Sequence, residues 1–271
     1  MRSLRSGLGT FFTYIVAFLW FFPVLWLFIT GFKTEGAASQ FPPSFIFQPI
    51  FEHYHLVWSH GALHYLINSA EITILSTALS LLLGVPVAYA LAVYRLKHAD
   101  DILFWFISTR FLPIAGVIIP IYVFFQSLGL LDTQLVLILV YAGMNTPLVI
   151  WMMRSFFKDI PYDLIESSQV DGASGLQGFF KITLPLVRSG LVSTILICMV
   201  FAWNEFFFAI TLTYTNASTM PVYMAQFMSQ EGLFWAQMSA AATIAILPVL
   251  LLGWFSQKSL VRGLTMGAVK G

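Results

Sequence analysis

Long apolar runs separated by short polar connectors dominate this chain. A helix that crosses a bilayer needs about 20 mostly apolar residues. Six stretches meet that length, at about 11–32, 68–94, 102–126, 134–156, 187–213 and 235–257. Polar connectors lie at about 33–67, 95–101, 127–133, 157–186 and 214–234, and a tail begins near Lys258. The pattern predicts an all-α membrane protein with six transmembrane helices in a single domain over 1–271. Pro23, Pro86, Pro113, Pro120, Pro147 and Pro248 fall inside the predicted spans. Each removes a backbone donor and invites a kink. The 33–67 connector, with Pro42, Pro43, Pro49 and several aromatics, reads as a partly structured cap on the membrane surface.

Composition supports the membrane reading. Of 271 residues, 59% are hydrophobic and 9% charged, whereas a soluble domain carries roughly a quarter charged residues. The net charge of +1 gives no reason to expect a nucleic-acid partner. One cysteine, Cys198, excludes an intrachain disulfide framework and a cysteine-only metal cluster. The run from Phe11 to about Phe32 is too long for the apolar core of a signal peptide and reads as the first span.

Basic residues set the orientation. With the N-terminus inside, the inner segments hold Arg2, Arg5, Arg95, Lys97, Arg154, Lys158, Lys181, Arg188, Lys258, Arg262 and Lys270. The outer segments hold only Lys33, and Arg110 falls within span three. This bias places both termini and the long 157–186 loop in the cytoplasm.

That loop has internal form. Pro161 and Asp163 suit a helix start. Gly172 allows a turn without a Cβ penalty. A second short helix can run from Ala173 to Lys181, with Phe179, Phe180 and Ile182 as an apolar edge and Pro185 ending it. Two short helices meeting at a glycine make a compact knob. Its aromatics need either a covering partner or the bilayer itself.

The spacing Glu166, Gly172, then Ile182-x-Leu184-Pro185 resembles the cytoplasmic loop of ABC-importer permeases of the carbohydrate-uptake class, known from a Glu-Ala-Ala signature. Two departures stand in that signature, since Ser167 and Ser168 replace the alanines. Gly129-Leu130-Leu131-Asp132-Thr133, Ala202-Trp203-Asn204-Glu205-Phe206 and the Gly267–Gly271 ending are similar to the same class. The resemblance implies the transmembrane-domain fold of a type I ABC importer in the bacterial inner membrane. It implies that Glu166, Ser167, Ser168, Asp171, Gly172, Ala173, Phe179, Phe180, Leu184 and Pro185 serve coupling to an ATPase. The implied partners are a second permease, two ATP-binding subunits and an external solute-binding protein. The segment from Gly232 to Ala241 looks most like permeases for sugar alcohols such as mannitol or sorbitol. A disaccharide or another sugar is the alternative.

Polar residues at membrane depth are expensive and are candidates for function. Asn204 and Glu205 in span five, Asn145 in span four and Arg110 in span three are candidates for a substrate path; Glu71 is a weaker one. Each has a competing role in helix packing or in a seam between subunits. His60 and His64 are spaced i, i+4 as some zinc ligands are, but no third ligand accompanies them, and the five histidines read as surface residues. No Gly-x-x-x-x-Gly-Lys-[Ser/Thr] phosphate cradle is present. The chain therefore reads as a transport subunit without catalytic or cofactor-binding residues, and ATP and Mg are expected on partner subunits. A small secondary transporter is the rival reading, and its midplane cluster of ionisable groups is thin here.

Overall fold

The computed structural model describes residues 2–94, 96–229 and 232–266. Arg95, Lys270 and the Gly267–Gly271 ending lie outside them. In chain order the helices begin with α1 (Arg2–Thr30), α2 (Glu35–Ser39), α3 (Glu52–Ser59), α4 (Ala62–Val93), α5 (Ala99–Ser108) and α6 (Ile114–Ser127). There follow α7 (Gln134–Lys158), α8 (Tyr162–Val170), α9 (Gly175–Gly178), α10 (Leu184–Leu186) and α11 (Arg188–Trp203). The last are α12 (Phe207–Leu212), α13 (Met220–Ala225) and α14 (Trp235–Met266). The all-α class holds apart from a two-residue antiparallel ladder that pairs Met228 with Leu233 and Ser229 with Gly232. Among the described residues, four helices are long and apolar enough to span a membrane, and the number rises to six if each of two bent pairs counts as one span.

The chain divides into two compact units, Met1–His64 with Tyr223–Pro248, and Tyr65–Val222 with Val249–Gly271. In the first unit, α1 exposes Phe11, Phe12, Tyr14, Phe18 and Trp20. A helix apolar on all sides is stable only with hydrocarbon or protein around it. The one outer cation of the sequence, Lys33, is enclosed. Its Nζ donates to the Ser44 carbonyl at 2.7 Å and sits 3.9 Å from the Trp26 ring centroid. Burial pushes its pKa down, and the Trp26 ring face is an attractive surface for an ammonium group. Gly31 lets Tyr54 and Ala240 approach, because a Cβ there would fall 2.7 Å from the Tyr54 hydroxyl. The Glu35 carboxylate accepts the N–H groups of Ala236 and Gln237, both at 3.0 Å. Those are orphan donors at the start of α14. His53 corrects the expectation of surface histidines: it is buried, while His55, His60 and His64 are exposed.

In the second unit a stripe along α4 makes a seam of small polar side chains. Ser69, Thr73, Ser76, Thr77 and Ser80 are all buried. Ser80 Oγ donates to the carbonyls of Ser76 and Ala142, and Gly84 leaves room for the Val149 side chain. Small residues bring helix backbones close where no water drives association. α7 runs through both apolar cores. One gathers Tyr141, Leu137, Ile118, Phe125 and Phe208; the other gathers Val149, Met153, Phe157, Tyr89 and Phe179.

Several expected boundaries shift. α4 begins at Ala62 rather than near 68, and α14 continues past Lys258 to Met266. Span three is broken: α5 with its 3-10 turn at Thr109–Phe111 meets α6 at 89°. The cause is Pro113, which forces Leu112 into extended backbone at ψ 127°. Pro23, Pro86, Pro120, Pro147 and Pro248 instead lie inside helices. The predicted 187–213 helix is also broken, because α11 stops at Trp203 and α12 starts at Phe207.

Candidate functional site: the 162–186 loop and the polar groups of the spans

Local chemistry builds the loop. Pro161 stands at the cap of α8, where its missing N–H costs nothing. The helix ends in a paired motif: Ala173 N–H bonds the Ser168 carbonyl at 3.0 Å, and Gly172 N–H bonds the Gln169 carbonyl at 3.0 Å. This closure requires a residue at positive φ, and Gly172 supplies it at 84°. Ser174 then starts α9 through a reciprocal cap. Its Oγ accepts the Gln177 N–H, and Gln177 Oε1 accepts the Ser174 N–H. The Ser-x-x-Gln spacing is a cap signature readable in the sequence.

The second helix of the loop differs from expectation. α9 is short and passes into a π-helical turn at Phe179–Thr183, then α10. Pro185 sits within α10 near its first position rather than ending a helix. The wider turn swings Phe179 inward. Its ring centroid lies 4.9 Å from Tyr89 and 6.3 Å from Phe157. Phe179 thus packs against α4 and α7 and is not part of an exposed edge. Ser168 is buried as well, and a Cβ at Gly178 would stand 3.7 Å from its Oγ. Leu184 packs partly against the same core.

The opposite face is open. Glu166, Ser167, Asp171, Gly172 and Pro185 are exposed, and Ala173 is half-buried. Val170, Leu176 and Phe180 are exposed apolar side chains at 82%, 73% and 61%. Leu176, Phe180, Tyr94 and Pro86 line a groove of about 500 Å³ beside the loop. A contiguous apolar surface of this kind, rimmed by polar residues, marks a contact site.

The polar candidates within the spans separate into different settings. Asn145 is buried, and its amide donates to the Cys198 carbonyl. Arg110 donates to the Met144 carbonyl at 2.9 Å and stands over the Phe201 ring. It also lines a cavity of about 490 Å³ at the α5–α6 bend, with Val117, Phe125, Met144 and Phe208. Glu205 is not in mid-helix. It occupies the gap between α11 and α12, where its carboxylate accepts the N–H groups of Phe208 and Ala209 at 3.1–3.2 Å. A freshly started helix leaves those donors orphaned, and a carboxylate there is the strong acceptor. Asn204 is exposed, and its amide turns back to the Val200 carbonyl. Glu71 accepts from Gln134, which also donates to Asn68. Among the described residues no group of three His, Cys, Asp or Glu could hold a metal ion.

One organising residue carries no role in the sequence reading. Asp132 adopts positive φ at 56°. Its carboxylate accepts the backbone N–H groups of Tyr214, Thr215, Asn216 and Ala217. Burial alone would raise its pKa, but these four backbone bonds outweigh it and hold the carboxyl below its ordinary value. Arg154 is another. It is buried, bonds the Leu91 carbonyl and pairs with Asp100, so that it joins the ends of α4, α5 and α7.

Residues 80–266 match the family described as binding-protein-dependent transport system inner membrane component. A probable ABC transporter permease protein of Sinorhizobium fredii is 38% identical over 99% of this chain and 97% of that protein. The sulfoquinovosyl glycerol transport system permease protein of Agrobacterium fabrum is 34% identical over 92% of this chain and 89% of that protein. The diacetylchitobiose uptake system permease protein of Streptomyces coelicolor is 31% identical over 100% of this chain and 99% of that protein. Among solved structures, a bacterial ABC transporter that imports the acidic polysaccharide alginate superposes with a TM-score of 0.75 at 24% identity, over 94% of this chain and 96% of that one. The fold is therefore that of a type I importer transmembrane domain, and the chain is a multi-pass inner-membrane protein. With its braced loop and its interrupted apolar helices, this chain belongs to the inner-membrane permease components of binding-protein-dependent ABC transport systems.

Proposed function

We propose that this chain is one of two unlike permease subunits of an ATP-driven importer for a disaccharide or another glycoside. The observation that carries the coupling half of the reading is the two-faced 162–186 loop. Phe179 and Ser168 anchor it in the core while Glu166, Gly172, Val170 and Leu176 stand free. An anchored knob transmits a push to the helices it is packed on; a floppy loop would absorb it. ATP and Mg belong to two partner subunits that receive the exposed face. A solute-binding protein delivers substrate at the opposite side of the membrane. ATP drives the access change only by stabilising one helix arrangement over the other.

Relatives with named substrates handle a sulfoquinovosyl glycerol and a diacetylchitobiose. These favour a glycoside over the mannitol or sorbitol suggested by Gly232 to Ala241. On the path itself, Asn204 is the side chain best placed to meet sugar hydroxyls, since it is exposed within the break of span five. Arg110, Asn145 and Glu205 line or brace that region through bonds they already make. Uptake by the reconstituted complex tests the substrate reading. Transport of a labelled disaccharide, outcompeted by glycosides and not by mannitol, is the expected result. Transport of mannitol alone would return the assignment to polyols.

A further inference from the structure

The cytoplasmic end of α7 presents a feature that coupling does not use. Trp151, Arg154, Ser155 and Lys158 recur at helical spacing on one side of α7 and, with Leu103 of α5 and Met152, line a groove of about 340 Å³. Trp151 is 52% exposed, and Ser155 and Lys158 are exposed. An aromatic ring followed by a cation one to two turns nearer the cytoplasm matches the layering of a membrane interface, where Trp sits at headgroup level and Lys reaches outward. Among the described residues Lys158 pairs with no carboxylate, while one guanidinium nitrogen of Arg154 goes to Asp100 and its Nε to the Leu91 carbonyl. Arg154 therefore contributes mainly as a fixed wall of the groove, and Lys158 is its free charge.

We propose that this groove holds an anionic phospholipid of the inner leaflet. Its phosphodiester is met by Lys158 and the hydroxyl of Ser155, and one acyl chain lies along Trp151, Met152 and Leu103. Leu103, Trp151 and Met152 give the groove an apolar wall, which a lipid uses and a free phosphate ion cannot. The inference goes beyond the transport reading and depends only on the inner location of the α7 end.

The test is native mass spectrometry of the delipidated permease, purified with its co-expressed partner subunits and titrated with phosphatidylglycerol or phosphatidylcholine. Wild type should bind phosphatidylglycerol more tightly. Lys158→Gln should remove about fivefold of that preference, the size of one basic contact with an anionic lipid surface. Trp151→Ala should weaken both lipids. Lys97→Gln, at another exposed cytoplasmic site, should change neither. Equal binding of the two lipids by wild type would overturn the proposal without any variant. So would a phosphatidylglycerol preference that survives Lys158→Gln, or a complex whose second permease leaves no lipid bound.

Discussion

Asp132 and Asn216 are joined twice: the Asn216 backbone N–H reaches the Asp132 carboxylate at 3.1 Å, and the Asn216 side-chain amide reaches it at 2.9 Å. The bond runs across 84 residues and ties the turn before α7 to the segment after α12. Replacing Asp132 by Ala strips four backbone N–H groups and the Asn216 side-chain amide of their acceptor at once. A hydrogen bond to a charged group is worth about 1.5–3 kcal/mol, and removal of several is not additive. Hydrogen exchange at the amides of 214–217 should rise by at least tenfold, as a loss of about 1.4 kcal/mol would give. Asp132→Asn, which keeps one acceptor oxygen, should fall between. The pH sense follows from the lowered pKa. The carboxylate stabilises the fold above the ordinary value of 3.8 and that contribution is lost as the pH falls below it. Exchange unchanged in Asp132→Ala would remove the clasp from the account.

Gly190 at the base of α11 faces the Phe156 ring so closely that a Cβ would fall 2.3 Å from it. The clash is with the inner atoms of the ring, so the half-buried Phe156 side chain must shift before a larger residue fits. Gly190→Leu should therefore cost about 1–3 kcal/mol through overpacking, with Gly190→Ala milder. The amount of folded protein in the membrane and its thermal midpoint in detergent check this. A Leu variant as abundant and as heat-stable as wild type would show that the crossing is looser than described.

Glu205 predicts a graded series. Glu205→Gln retains one acceptor oxygen for the N–H groups of Phe208 and Ala209, and Glu205→Leu retains none. Each orphaned buried donor costs about 1–3 kcal/mol. Stability and uptake should fall in the order wild type, Gln, Leu. A Leu variant with full stability and full uptake would mean that the restart of α12 does not depend on this carboxylate.

Much of the helical layout was legible because lipid imposes long apolar runs, and basic residues mark the inner side. The break at Pro113 was legible in principle, since the residue before a proline avoids helix. The break at 204–206 was not, because Asn and Glu inside an apolar run read as polar groups on a continuous helix. Only the three-residue reach from Glu205 to Phe208 reveals a restart. Phe179 was misplaced for a related reason. The sequence groups it with Phe180 and Ile182 as one apolar edge, but the π-helical turn changes the period locally and Phe179 packs in the core while Phe180 stays exposed. Asp132 looked like one letter of a family motif, because its partners lie more than 80 residues away. The exposed set Glu166, Asp171 and Gly172 was legible, since a polar island with a turn glycine has few other uses.

The central claim is that the exposed face of the 162–178 knob carries ATPase motion to the spans. The most direct measurement is substrate uptake and ATP hydrolysis in the same proteoliposomes, for the full complex carrying Glu166→Lys or Gly172→Pro. Glu166 is exposed and reverses charge without touching the core; Gly172→Pro cannot adopt φ 84°. The account predicts that both variants assemble in the membrane, that uptake falls at least tenfold, the equivalent of about 1.4 kcal/mol, and that hydrolysis no longer tracks uptake. Wild-type uptake, tightly coupled to hydrolysis in both variants, would contradict it.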